Sequence, residues 1–345
     1  MNPKMVLALG MLALVMLTVA LMLSRDLAGP SKPDSDPLIS GLRDQINDIK
    51  AIDLIGSDGE VVVSLRRDRE RWRVREKSDF EADFRQVHDL LRALAEARRI
   101  DERTSNPDWY ARLGVADPGV EGSEGMLIRF PETDLPEVII GAPDSAGIGR
   151  FARIRDEQTT WLIDRSPEPP TSAIDWLERA VMDIPASELA EIMIRHPDGD
   201  TVHLRPAGDD GEQWVLLDVP AGREAVPAWR IQSVAGALAG LNLRDVRPHE
   251  AVPDTAVRSL FRTIDGLNFV ASLFEDEQGY WVHFNVSAET RAVAAEDEME
   301  EASDELTIDA VAVDGRLSPW QFRIAESRYN NMSRRQEDLL IDPEE

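Results

Sequence analysis

Two Asp-Gly dipeptides, each set between alternating apolar runs, constrain this chain's fold more than any other feature. The first lies in Ile49-Lys50-Ala51-Ile52-Asp53-Leu54-Ile55-Gly56-Ser57-Asp58-Gly59-Glu60-Val61-Val62-Val63-Ser64-Leu65, with Trp72-Arg73-Val74 soon after. The second lies far downstream, in Leu189-Ala190-Glu191-Ile192-Met193-Ile194-Arg195-His196-Pro197-Asp198-Gly199-Asp200-Thr201-Val202-His203-Leu204, followed by Trp214-Val215-Leu216. Glycine supplies the positive φ that a tight hairpin turn requires, so each stretch predicts two antiparallel strands with a third beginning near a tryptophan.

The parallel continues. Phe84, Val87, Leu90, Leu91 and Leu94 recur at helical spacing, as do Ile231, Val234, Leu238 and Leu241. Each predicted helix leads into a short charged strand, at residues 99–102 and 243–246. Closing strands follow at 126–130, 138–141, 150–155 and 160–164 in the first copy, and at 268–275 and 280–285 in the second. Trp161 and Trp281 are expected at comparable places near the last strand. The fold class is therefore α+β: two related mixed, mainly antiparallel sheet units, each backed by a helix.

The opening segment fixes a location. Residues 5–23 carry no charge and would span roughly 28 Å as a helix at ~1.5 Å per residue, the thickness of a bilayer's hydrocarbon core. The run outlasts a signal-peptide h-region, and no Ala-x-Ala site ends it, so an uncleaved transmembrane anchor is favoured over a signal peptide. A short N-terminal tail before a large domain favours N-in, C-out. The domain is then periplasmic if the cell is a Gram-negative bacterium. Expected organisation is an anchor at 1–24, a polar linker at 25–45, a first unit at 46–185 and a second at 186–345, with helix-competent acidic sequence at 287–302 and a last helix at 327–340. A short helix is expected around Trp176.

Composition removes several functions. A net charge of −27 argues against a nucleic-acid partner, which needs a surplus of Lys and Arg. The absence of cysteine removes disulfides, thiolate metal sites and a cysteine nucleophile. There is no Gly-x-Ser-x-Gly, His-Glu-x-x-His, Walker loop or dinucleotide fingerprint. The Gly-rich stretch 141–149 joins two predicted strands and reads as a hairpin loop. His88, His196, His203, His249 and His283 are dispersed; His196 and His203 with Glu191 are the nearest approach to a metal set, against surface hairpin histidines. The acidic run 296–301 lacks the spacing of a Ca²⁺ loop and reads as a solvated helix face. Trp72, Trp214, Trp161 and Trp281 are assigned to core packing. Trp109 and Tyr110 lie on a short helix capped by Asn106, with Pro107 first and Gly114 last, and read as a buried lid with an exposed aromatic contact as the alternative. No catalytic, cofactor-binding or metal-ligating residue is assigned, and no enzyme activity is expected.

Several motifs together carry a resemblance: Ile49-x-x-Ile52-x-Leu54 with its Asp-Gly hairpin, Trp72-Arg73-Val74, Trp109-Tyr110-Ala111-Arg112-Leu113-Gly114-Val115, Trp161-Leu162-Ile163-Asp164, Asp175-Trp176-Leu177, Met182-Asp183-Ile184-Pro185 and Glu337-Asp338-Leu339-Leu340. The chain resembles the DUF4340 family of bacterial membrane-anchored proteins. That resemblance implies association with an ABC-type export system, with a permease, its ATPase and a related extracytoplasmic subunit as partners. The expected role is a membrane-anchored accessory or interaction protein at the inner membrane. The alternatives are a module binding a small ligand or glycan in a groove between the units, and, third, an envelope hydrolase.

Overall fold

Asp58-Gly59 and Asp198-Gly199 each turn the chain back on itself, as does Asp265-Gly266 between Val257–Thr263 and Leu267–Asp276. In the computed structural model, which describes residues 36–165, 167–207, 213–289 and 309–341, Gly59 stands at φ 88° and Gly199 at φ 95°, where a side chain would be strained. The Gly59 N–H donates to Gly56 O at 3.0 Å, and the Glu60 N–H to Asp58 Oδ1 at 2.9 Å. In the second turn the Gly199 N–H donates to His196 O, and the Asp200 N–H to Asp198 Oδ1, both at 3.1 Å.

The first turn joins β1 (Ala51–Ile55) to β2 (Val61–Asp68), with β3 (Arg71–Val74) and β4 (Phe80–Glu81) next. After a helix at Phe84–Glu96 come β5 (Arg99–Thr104), β6 (Met126–Arg129), β7 (Val138–Pro143), β8 (Arg150–Ile154) and β9 (Thr160–Ile163). A short β10 (Ala180–Met182) precedes β11 (Leu189–Arg195), β12 (Thr201–Pro206) and β13 (Trp214–Leu216). A second helix, Ala228–Ala235, leads to β14 (Leu241–Asn242), β15 (Asp245–Pro248), β16 (Val257–Thr263), β17 (Leu267–Asp276), β18 (Gly279–Ala288) and β19 (Trp320–Arg323).

These strands form a nine-stranded sheet, β4-β3-β2-β1-β6-β7-β8-β9-β5, an eight-stranded sheet, β13-β12-β11-β16-β17-β18-β19-β15, and the pair β10-β14. The sheets are mostly antiparallel and the helices few, so the α+β class holds with β structure dominant. The chain divides into two compact units, Met1–Val62 with His88–Pro169, and Val63–Val87 with Pro170–Glu345.

In the first unit β1 is buried along its whole length, and Ile55, Tyr110, Val115, Leu127 and Ile139 pack into one cluster. The one charge on β1, Asp53, is answered across the ladder by Arg129 at 2.8 Å. The second unit buries the large aromatics Trp176, Trp214, Trp281, Phe261, Phe284 and Phe322, the main apolar contribution to its core.

The helix Phe84–Glu96 begins where the sequence places it, because the Asp83 carboxylate accepts from the Gln86 N–H at 3.1 Å and caps the first turn. Val87, Leu90, Leu91 and Leu94 form its buried stripe, whereas Phe84, in the first turn, is 60% exposed. The second helix is shorter than its apolar spacing suggests. It stops at Ala235 because Gly236 takes the C-cap; Leu238 then falls in a 3₁₀ turn and Leu241 in β14, though all four apolar positions are buried.

Other expectations are corrected. Trp281 lies on β18, whereas the tryptophan on the strand that pairs with β15 is Trp320 of β19, as Trp161 of β9 faces β5. Ser287 and Ala288 do not start a helix; they continue β18 opposite Asn268 and Leu267. The acidic run 296–301 lies outside the described residues. In place of one helix over 327–340 stand a helix at Glu326–Met332 and a 3₁₀ turn at Glu337–Leu339. Ser333 Oγ donates back to Tyr329 O at 2.8 Å, and the Arg335 N–H turns to Asp338 at 3.1 Å, local bonds that compete with helix continuation. Around Trp176 the helix is 3₁₀, Ala173–Trp176. Among the described residues no helix is long and apolar enough to cross a membrane; the run 5–23 lies outside them.

Candidate functional site

The hairpin histidines engage separate partners. His203, on β12, places Nε2 at 2.6 Å from Glu191 Oε1. His196, just beyond β11, faces the Arg334 carbonyl at 3.3 Å. Glu191 is the hub of an ionic cluster: Arg205 Nη2 reaches it at 2.7 Å and Arg262 Nη1 at 3.1 Å. Burial pushes the Glu191 carboxyl up, but the hydrogen bonds from Arg205 and His203 and the nearby guanidinium charges outweigh it and hold the pKa below its usual range. A carboxylate so held is a structural counter-ion rather than a proton donor. Among the described residues no three His, Asp or Glu side chains are grouped to hold a metal ion.

A second polar layer runs along β15, β18 and β19, and sequence spacing gave no sign of it. The rings of His249 and His283 stack with centroids 3.8 Å apart and planes 18° from parallel. Arg247 donates to Gln321 Oε1 at 2.8 Å and Asp276 Oδ2 at 2.9 Å, and its guanidinium lies 3.9 Å from the Trp281 ring centroid. The Trp281 indole N–H donates to Asp276 Oδ1 at 2.8 Å. Burial raises the Asp276 carboxyl, and its bonds from the Gln278 backbone, Trp281 and Arg247 more than offset this, so its pKa is lowered. The cluster is closed on itself.

In the first unit the stretch 141–149 joins β7 to β8 as a hairpin, as read from the sequence, though its first three residues belong to β7 and the loop itself is 144–149. Asn106 Oδ1 accepts from the Asp108 N–H at 3.1 Å, with Pro107 opening the turn Pro107–Trp109. The aromatic pair splits: Tyr110 is buried and donates its hydroxyl to Gln158 O, while Trp109 is 49% exposed beside Arg112, whose guanidinium is 4.6 Å from its ring centroid.

The open site lies in the second unit. Along β3, Trp72 and Val74 turn into the core and Arg71 and Arg73 to the other face, the period-two alternation of a strand. On neighbouring β4, Phe80 and Glu81 stand opposite Val74 and Arg73. The Phe80 ring meets Trp320 edge-on, with centroids 5.0 Å apart and planes at 90°, and Phe322 at 6.2 Å and 76°. Together with Glu178 and the helical residues 312–317 they line a half-open cavity of about 350 Å³. Its rim carries three guanidiniums, those of Arg71, Arg73 and Arg316.

The fold and this cavity define a mainly antiparallel α+β protein. A family model described as a domain of unknown function, DUF4340, matches residues 72–259, more than half the chain. The chain belongs to the DUF4340 family. No curated protein and no solved structure matches it.

Proposed function

We propose that this protein is a membrane-anchored, extracytoplasmic accessory subunit, without catalytic activity of its own, that docks on an ABC-type export system. The observation that carries the reading is the uncharged run at residues 5–23 ahead of a chain whose net charge is −27. A single anchor keeps such an acidic domain at the bilayer while its charge holds it off anionic headgroups. The family's association with gliding-motility-type transporters supplies the permease, ATPase and related extracytoplasmic subunit as partners.

The domain is an internal duplication on this reading, and the strand orders support it. β3-β2-β1-β6-β7-β8-β9-β5 corresponds step for step to β13-β12-β11-β16-β17-β18-β19-β15, with a helix before the last-named strand of each series. The turns agree as well: Gly56 N–H to Glu60 O and His196 N–H to Asp200 O, both at 2.9 Å, close them in the same way. A duplicated scaffold in which Glu191 and Asp276 are each held by internal ion pairs and hydrogen bonds suits a docking role better than chemistry.

Protease treatment of spheroplasts tests the topology. The full-length protein should stay with membranes through a carbonate wash and be digested from the outer face. Release by carbonate, or protection until the cells are lysed, would contradict the reading.

A further inference from the structure

We propose that the cavity walled by Phe80, Trp320 and Phe322 binds a small amphipathic anion, a flat apolar ring system bearing a carboxylate. This goes beyond the accessory role and does not depend on it.

Charge supplies the first argument. In a chain of net charge −27, three arginines gather at one cavity. Arg71 is answered internally by Glu81 at 3.3 Å. The other acidic side chain of the rim, Glu178, turns Oε1 to the Ala180 N–H at 3.0 Å. Among the described residues, neither Arg73 nor Arg316 has a carboxylate partner. Once the internal pairs are counted, the cavity offers two guanidiniums to a ligand. The planar fork of a guanidinium matches a carboxylate bidentately and holds its charge at every physiological pH.

Shape and polarity supply the second. About 350 Å³ falls in the range of small-molecule sites, roughly 300–1,000 Å³. The edge-on placement of Phe80 against Trp320 is the arrangement aromatic quadrupoles prefer, and a further flat ring extends it. Cations are repelled by the rim.

A built-in control sits on the wall. Gly315 lines the cavity, its φ is not positive, and a Cβ added there meets nothing within 4 Å. Gly315→Leu therefore fills the cavity from a helix position where leucine is the better helix former.

The test is isothermal titration of the full-length protein, in matched neutral-detergent micelles, with 2-naphthoate and its uncharged isostere 2-naphthamide. Naphthoate should bind one saturable site in the submillimolar range, and naphthamide at least tenfold more weakly. The Arg73→Ala/Arg316→Ala double variant should lose at least tenfold in naphthoate affinity, and Gly315→Leu should lose binding, each with an unchanged melting transition. Partitioning of each probe into protein-free micelles is measured and the free concentration corrected before the two probes are compared; between variants titrated with one probe it cancels. Equal affinity for the two probes, unchanged binding in the folded Gly315→Leu variant, or no saturable binding of naphthoate would each overturn the proposal.

Discussion

Glu191 on β11 stands directly opposite Arg262 on β16, and Arg262 Nη1 reaches its carboxylate at 3.1 Å. With Arg205 and His203 on the same carboxylate, a side chain only 6% exposed carries a full charge inside a sheet face. Such a cluster is stable while the carboxylate is ionised. Because the folded pKa lies below the ordinary 4.5, its contribution is fully present above that value and is lost as the pH falls through the folded pKa. Glu191→Gln should lower unfolding stability at neutral pH by about 1–3 kcal/mol. It should also reduce the loss of stability on acidification below pH 4.5, as read by urea unfolding across a pH series.

His249 predicts a second pH effect, at higher pH. Burial first, and then the charge of His283 stacked against it, lowers the His249 pKa below 6.5. The unfolded chain therefore binds the proton more readily than the folded one, and stability declines as the pH drops below 6.5. Thermal melts should show this decline in the parent protein. The His249→Phe variant, which keeps a ring against His283, should show a flatter profile over the same range.

Arg153, only 3% exposed, uses its guanidinium as a tie between loops. Nε donates to Val115 O at 3.0 Å, Nη1 to Arg155 O at 2.8 Å, and Nη2 to Asp117 Oδ1 at 3.0 Å, while the group lies 4.5 Å from the Tyr110 ring centroid. Lysine keeps the charge but not the planar fork, so the buried carbonyls lose donors. Arg153→Lys should cost about 2–3 kcal/mol in urea unfolding.

Gly149 leads into β8, and a Cβ there would lie 1.7 Å from the Ile163 carbonyl oxygen. No rotamer relieves a clash with backbone, so the β8–β9 ladder must shift. Gly149→Ala should destabilise the protein by about 1–3 kcal/mol, by the overpacking route, whereas Gly147→Ala in the same loop meets nothing within 4 Å and should cost only the left-handed backbone strain of its φ of 70°, about 1 kcal/mol. Chemical unfolding of the two variants separates these outcomes.

Local rules made part of this fold legible. The Asp-Gly turns and the stripe Val87–Leu90–Leu91–Leu94 depend on residues close in sequence, and both stand where their spacing places them. β16 escaped because its buried face mixes Val257 and Phe261 with Ser259 and Thr263, which hides the apolar alternation. The seat of β19 between β18 and β15 depends on the chain returning after a long excursion, which no local pattern records. The cavity was hidden for the same reason. Arg73 and Arg316 come from opposite parts of the sequence, and Phe80 and Trp320 lie on strands of different sheets, so only tertiary packing brings them together. The reading of the uncharged run 5–23 rests on its length and lack of charge alone, and the run lies outside the described residues.

The central claim, an accessory subunit of an export system, meets its most direct test in affinity purification of the full-length protein from its native membrane in mild detergent, read by quantitative mass spectrometry. The account predicts recovery of an ABC permease and its ATPase at stoichiometric levels. Recovery of the protein alone, from membranes shown to contain the transporter, would contradict it.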